Sequence, residues 1–212
     1  MSIGETTRFD LRTPGGERLP LSTQLLGLHN IENIVGASAL LLELGLVTPE
    51  ALAEVAPRFR GVARRLDKKT RASRAPAYEG FGSSYEKARS AIEAMQLHFP
   101  KRPLVVVFEP HTFSWRNREG LAWYDSVFEG VDRVLLLPPP GHGAGQDQLS
   151  QDEIISRIGA AGIRTTKIAG RDDALSDLKS TLTGEEAILL LSSGPLAGLA
   201  DALPPMLDDS FS

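Results

Sequence analysis

From residue 77 onward the chain repeats one pattern, a short apolar segment followed by a helical one. Ala77–Phe81, Leu104–Phe108, Arg133–Leu137, Arg164–Ile168 and Ala187–Leu191 read as strands. Tyr85–His98, Arg118–Phe128, Gln151–Ala161, Asp172–Leu182 and Leu196–Leu203 read as the helices between and after them. Leu104 to Phe108 and Ile188 to Leu191 are continuous apolar runs, as strands covered on both faces require. Alternation with short links predicts an α/β fold, a doubly wound and mostly parallel sheet. In such sheets ligands meet the carboxyl ends of the strands. The links to inspect are therefore Gly82-Ser83-Ser84, Glu109 to Asn117, Pro138 to Ser150, and Ser192-Ser193-Gly194.

The residues before this pattern are organised differently. Arg8 to Arg12 alternates, Pro14-Gly15-Gly16 is a turn, and Leu19 to Leu26 is extended again, which together read as a β-hairpin. Asn30 to Leu44 then carries apolar and small residues at helical spacing and reads as a largely buried helix ended by Gly45. Thr48 caps a second helix with Pro49 at its first position. Lys68 to Ala75 is polar and without period, so a domain boundary is expected near Asp67. The 212 residues suffice for two small domains. Basic and acidic side chains number 23 and 27, a formal net charge of −4, so nothing recruits a nucleic-acid backbone. Cysteine is absent, which excludes disulfides, zinc ribbons and thiol catalysis. Ile34 to Leu46 is too short to span a bilayer, and the amino terminus lacks a signal-peptide pattern. A cytoplasmic protein without membrane or nucleic-acid partners is the expectation.

Glu109 to Asn117 is the stretch densest in chemistry. It follows the most apolar strand and offers His111, Arg116 and two hydroxyls, groups suited to a carboxylate or phosphate. Its bland alternative is a solvated loop with Trp115 packed on a neighbour. Ser83 and Ser84 open a helix, where free N–H groups favour an anion; on spacing alone simple capping is the leading reading. Pro138 to Gly145 reads as a mobile surface loop in which His142 is exposed, and His98 at a helix end suits the helix dipole. Arg64-Arg65 stands at the expected hinge, where a phosphate contact is plausible. The four histidines have no metal-ligand spacing, and no nucleophile elbow occurs.

Several of these stretches resemble one family. Gly27-Leu28-His29-Asn30-Ile31-Glu32-Asn33 is similar to the G-x-HN-x-x-N signature of the Mur ligases, which build peptidoglycan peptides. Phe59 to Asp67 resembles their F-x-G-V-x-R-R-x-E hinge. Tyr78 to Ser84 falls where the family has Y-D-D-F/Y-A-H-H-P. Val107-Phe108-Glu109-Pro110-His111 resembles the F-Q/E-P-H/R segment of the muramate-binding branch. The Phe-Glu-Pro wording and Leu191-Ser192-Ser193-Gly194 look closer to the peptide-recycling members.

The resemblance implies the rear half of such an enzyme. Residues 1–66 would close the central ATP-binding domain, and 67–212 would form the Rossmann-like carboxyl-terminal domain. The implied activity is ATP-dependent amide formation between UDP-N-acetylmuramate and L-alanine or an L-alanyl peptide, through an acyl phosphate. ATP and Mg²⁺ would be the cofactors, with Mg²⁺ ligands largely in the other half. No Gly-x-x-Gly-Lys-Ser/Thr phosphate loop occurs in the 212 residues, so no turnover is expected from them alone. By resemblance, Asn30 and Asn33 would meet the nucleotide and Arg65 a phosphate. Ser83, Ser84, His111 and Arg116 would hold the amino substrate. Departures from the family pattern are Gly80, Ser83, Ser84 and Asp67, which leave open a non-catalytic binding module of the same fold.

Overall fold

The computed structural model describes residues 1–13, 15–141, 145 and 147–212. Pro14 of the expected turn, and His142, Gly143 and Ala144 of the expected mobile loop, lie outside the described residues. The chain divides into two compact units, residues 1–62 with 93–100, and residues 63–92 with 101–212.

In the first unit, β1 (Thr7–Arg12) and β2 (Arg18–Thr23) form an antiparallel hairpin in the register Phe9–Leu21 and Leu11–Leu19. Alternation drives it: Thr7, Phe9 and Leu11 are buried while Arg8, Asp10 and Arg12 are exposed. Then follow α1 (Leu28–Glu43) and α2 (Pro49–Val55). As the sequence indicates, Thr48 caps α2, its hydroxyl accepting the Ala51 N–H at 3.2 Å. The expectation of a largely buried first helix is corrected. Only Ile31 and Ser38 of α1 are buried, and Leu40 is 60% exposed. The reason is the small partner: a two-stranded hairpin covers one stripe of a 16-residue helix. The unit's core is accordingly small, built on Phe9, Leu11, Leu21, Ile31 and Ala56.

The second unit holds a six-stranded sheet. Its strands are β3 (Arg65–Lys68), β4 (Ala77–Gly80), β5 (Leu104–Phe108), β6 (Arg133–Leu136), β7 (Arg164–Lys167) and β8 (Ala187–Leu191), in spatial order 3-4-8-5-6-7. All pairs are parallel except β3 with β4. Both faces are covered, as the continuous apolar runs require. On one face Val105, Val107, Leu135, Ile188 and Leu190 pack with α6 (Arg171–Thr181) and α7 (Leu199–Ser210). On the other, the Phe108 ring meets Trp115, Phe128 and Tyr124 edge-on at 5.1 to 6.4 Å. The remaining helices are α3 (Tyr85–His98), α4 (Phe113–Arg116) and α5 (Gln151–Ala160). A complete Ser150–Glu153 capping box starts α5. No described helix is long and apolar enough to cross a membrane.

Three segments differ from expectation. Arg65–Lys68, in the stretch expected at the hinge, pairs as an edge strand. Arg118–Asp125 is 3-10 rather than α-helical: the Gly120 N–H bonds the Asn117 carbonyl and the Tyr124 hydroxyl the Trp115 carbonyl, which keeps the turns tight. The last helix runs through Pro204 and Pro205 to Ser210, carried by the buried seam Leu199, Leu203 and Leu207.

Candidate functional site

Parallel pairing of β4, β8 and β5 sets their carboxyl ends side by side, and antiparallel β3 returns its first residue to Gly80 of β4. One edge therefore gathers Arg64, Phe81 to Ser84, Glu109 to Thr112, and Ser192 to Gly194. Two carboxylates are buried there, Glu79 at 6% and Glu109 at 8% exposure. Each is hydrogen-bonded, as a buried charge must be. Glu79 accepts from Arg64 Nε at 3.0 Å and faces Lys69 Nζ at 3.2 Å. Glu109 Oε2 accepts from the Ser192 hydroxyl and the Leu196 N–H, both at 2.9 Å. Its other oxygen lies 3.7 Å from His111 Nδ1, beyond hydrogen-bond length.

The turn after β8 is shaped around these groups. A Cβ on Gly194 would overlap the His111 ring and stand 2.6 Å from Glu109 Oε2, so glycine alone admits this approach. The Arg64 guanidinium donates to the Gly194 carbonyl at 2.7 Å and the Ser192 carbonyl at 3.4 Å. Arg64 and Leu66 take left-handed φ values of 63° and 54°, which turn Arg64 onto the edge and leave Arg65 outside it. Phe81 lies under two cations, Arg64 at 5.2 Å and Lys87 at 5.6 Å from its centroid.

The residues expected from the sequence fall into three groups. Ser83 and His111 share the edge, since the Thr112 hydroxyl donates to the Ser83 carbonyl at 3.0 Å and Trp115 Nε1 to the Gly82 carbonyl at 2.8 Å. The hydroxyls of Ser83 and Ser84 are engaged in the first turn of α3: Ser83 accepts from Lys87 Nζ at 3.0 Å, and Ser84 sits at the capping position. Trp115 is a core side chain. Arg116, 7% exposed, donates to the Pro140 carbonyl at 2.9 Å and borders a small cleft with Phe113, Asn117, Asp147 and Gln148. Arg65 is exposed on β3 and has no ion-pair partner among the described residues. Asn30 and Asn33 belong to the first unit. Asn30 Nδ2 donates to the Leu26 carbonyl at 2.8 Å and Asn33 is exposed on α1.

The start of α1 is fixed by a histidine. Gly27 has φ 89°, and its N–H donates to His98 Nε2 at 2.8 Å. His98 Nδ1 pairs with the Gly4 carbonyl at 2.7 Å, so the ring is the neutral tautomer with its proton on Nδ1. Burial holds its pKa below 6.5, against a smaller opposing effect of that Gly4 bond. The helix-dipole role expected for His98 is therefore corrected: an uncharged ring has no charge to offer the dipole.

Glu79, Glu109 and Ser192 were not among the expected site residues, and of the Arg64-Arg65 pair the sequence favoured Arg65. Each was legible only as a neighbour, Arg64 beside Arg65 and Glu109 within the Phe-Glu-Pro-His run. No three acidic or histidine side chains among the described residues converge on a point, so they do not fit a metal site.

The fold defines a doubly wound α/β domain with a polar carboxyl edge, preceded by a smaller unit. No protein-family profile matches the chain. Curated relatives are 32% identical over 175 residues in UDP-N-acetylmuramate–L-alanine ligase from Desulfosudis oleivorans, covering 79% of this chain and 37% of that protein. The same enzyme from Xanthomonas euvesicatoria is 30% identical over 211 residues, covering 97% of this chain and 39% of the relative. Among solved structures, UDP-N-acetylmuramate–alanine ligase from Thermotoga maritima superposes with a TM-score of 0.71 at 18% identity, over 96% of this chain and 45% of that one. The MurF ligase of the same organism, solved with ADP, gives 0.62 at 14% identity over 99% and 44%. The chain is a homologue of the Mur ligases along nearly its whole length. It spans about two fifths of the length of the curated relatives it matches.

Proposed function

We propose that the chain is the carboxyl-terminal portion of an ATP-dependent amide ligase of the Mur type, joining UDP-N-acetylmuramate to L-alanine or an L-alanyl peptide. Residues 1–66 would belong to its nucleotide-binding domain and 67–212 to its amino-substrate domain. The observation that carries this reading is alignment of 97% of the chain with a UDP-N-acetylmuramate–L-alanine ligase. The carboxyl edge supports it physically. His111 and its buried carboxylate neighbour Glu109 stand at this edge, where fixed polar groups would orient the amine and carboxylate of an amino substrate. Arg65, exposed and without an ion-pair partner among the described residues, would reach an anion, and Asn30 and Asn33 would serve the nucleotide. The described residues do not themselves fit an Mg²⁺ site, and the chain's part is to bind and orient the amino substrate.

An immunoblot of source cells tests the portion reading. A band at about twice 22.9 kDa or more is expected for a chain with further domains of ordinary size. That polypeptide should then release phosphate only when UDP-N-acetylmuramate and L-alanine or an L-alanyl peptide are both supplied. A 22.9 kDa band with no phosphate release from its native assembly refutes the reading. It would favour a non-catalytic binding module, for which one observation speaks: the Ser83 and Ser84 hydroxyls are spent within α3.

A further inference from the structure

The turn after β8 is held from several sides. The Ser192 hydroxyl donates to Glu109 and accepts the Gly194 N–H at 2.9 Å. The Ser192 N–H donates to the Gly80 carbonyl and its own carbonyl accepts the Gly82 N–H, both at 3.3 Å. The Gly194 carbonyl takes the Arg64 guanidinium, and the Leu196 N–H ends on Glu109. Ser193 stands in the middle of this framework, and its hydroxyl oxygen is buried with no hydrogen-bond partner among the described residues. A desolvated hydroxyl without a partner costs free energy in the fold, and such a group in an otherwise satisfied turn calls for a reason. Its position supplies one. Ser193 adjoins Gly194, whose missing side chain makes room for the His111 ring, at the edge where Arg64 and Lys87 lie over Phe81.

We propose that Ser193 is a ligand-binding residue whose hydroxyl donates to the carboxylate of the incoming amino substrate. This rests on the ligase reading above. The residue as a whole is only part-buried, so rotation about χ1 can bring the hydroxyl out of its covered position at the carboxyl edge. There it adds a short donor to the imidazole of His111, a pairing that suits a carboxylate. The cost of the orphaned oxygen in the free protein is recovered when ligand binds.

The test is titration of the isotope-labelled 212-residue protein with L-alanine and with L-alaninamide, which lacks the carboxylate charge, followed at His111 and Gly194 by NMR. Ser193→Ala should weaken L-alanine about tenfold, the size of one hydrogen bond to a charged group, and L-alaninamide less than about threefold. Ser193→Thr, which keeps the hydroxyl, should retain most of the affinity. Because no internal bond is lost, Ser193→Ala should melt at the wild-type temperature or above. A lower melting temperature would show that the hydroxyl serves the fold, and the proposal would fail. Unchanged L-alanine affinity in Ser193→Ala would also overturn it while leaving the ligand site standing, as would equal weakening of both ligands. Absence of L-alanine binding by the wild-type protein would overturn the proposal, whereas the ligase reading stands or falls with the phosphate-release assay above.

Discussion

Replacing Glu109 by alanine removes the acceptor of two donors at once. The Ser192 hydroxyl and the Leu196 N–H both end on Glu109 Oε2 at 2.9 Å, and the residue is 8% exposed. A buried donor left without an acceptor costs about 1–3 kcal/mol, so two cost roughly 2–6. The Ser192 hydroxyl also reaches the Glu109 carbonyl oxygen at 3.1 Å, which stays in place. That recovery, with relief of the carboxylate's own desolvation, brings the expected loss for Glu109→Ala to about 2–4 kcal/mol. Glu109→Gln keeps an oxygen where both donors point and loses only charge assistance, about 1 kcal/mol. Both tryptophans, Trp115 and Trp123, lie in the second unit, so tryptophan fluorescence during guanidinium unfolding reports this unit. The midpoint should fall for Glu109→Ala with unchanged slope, and by a smaller step for Glu109→Gln. An alanine variant within about 0.5 kcal/mol of wild type, below the cost of even one orphaned donor, would refute the reasoning. So would glutamine proving as damaging as alanine.

Two neighbouring arginines should behave oppositely. Arg64→Ala loses donors to Glu79 and the Gly194 carbonyl and, for a side chain 37% exposed, should cost about 1–2 kcal/mol; Arg65→Ala should stay within about 0.5. Equal effects in the same fluorescence assay would contradict the inward and outward assignment. His98 predicts an acid-side loss of stability in the first unit. Its folded-state pKa lies below the ordinary 6.5, so the unfolded chain takes up the proton first. Stability is full above about pH 6.5, falls as pH drops through that value, and levels off below the folded-state pKa. Hydrogen exchange of the Gly27 amide, corrected for its intrinsic rate, should show this protection profile, and His98→Ala should flatten it. A loss on the alkaline side would contradict the neutral-ring assignment.

The parallel sheet was legible in the sequence because Leu104 to Phe108 and Ile188 to Leu191 tolerate only double-sided burial, and the strand–helix alternation admits few topologies. The links at the carboxyl edge followed from that order, and so did His111 and Ser83 at one edge. The exposure of α1 did not, since a run of apolar and small residues states what a helix can bury and not whether a partner is there to bury it. Nor could the sequence separate Arg64 from Arg65: the pair is chemically identical, and two left-handed φ values decide which guanidinium faces the edge. Glu79 and Glu109 read as ordinary acidic residues until Arg64, 15 residues from Glu79, and Ser192 and Leu196, 83 and 87 residues from Glu109, are brought to them. Local pattern therefore determined the elements, their order and the edge to search. Which side chains are paired, which are free and which hydroxyl is left without a bond depend on contacts between residues far apart in the chain, and only the folded structure settles those.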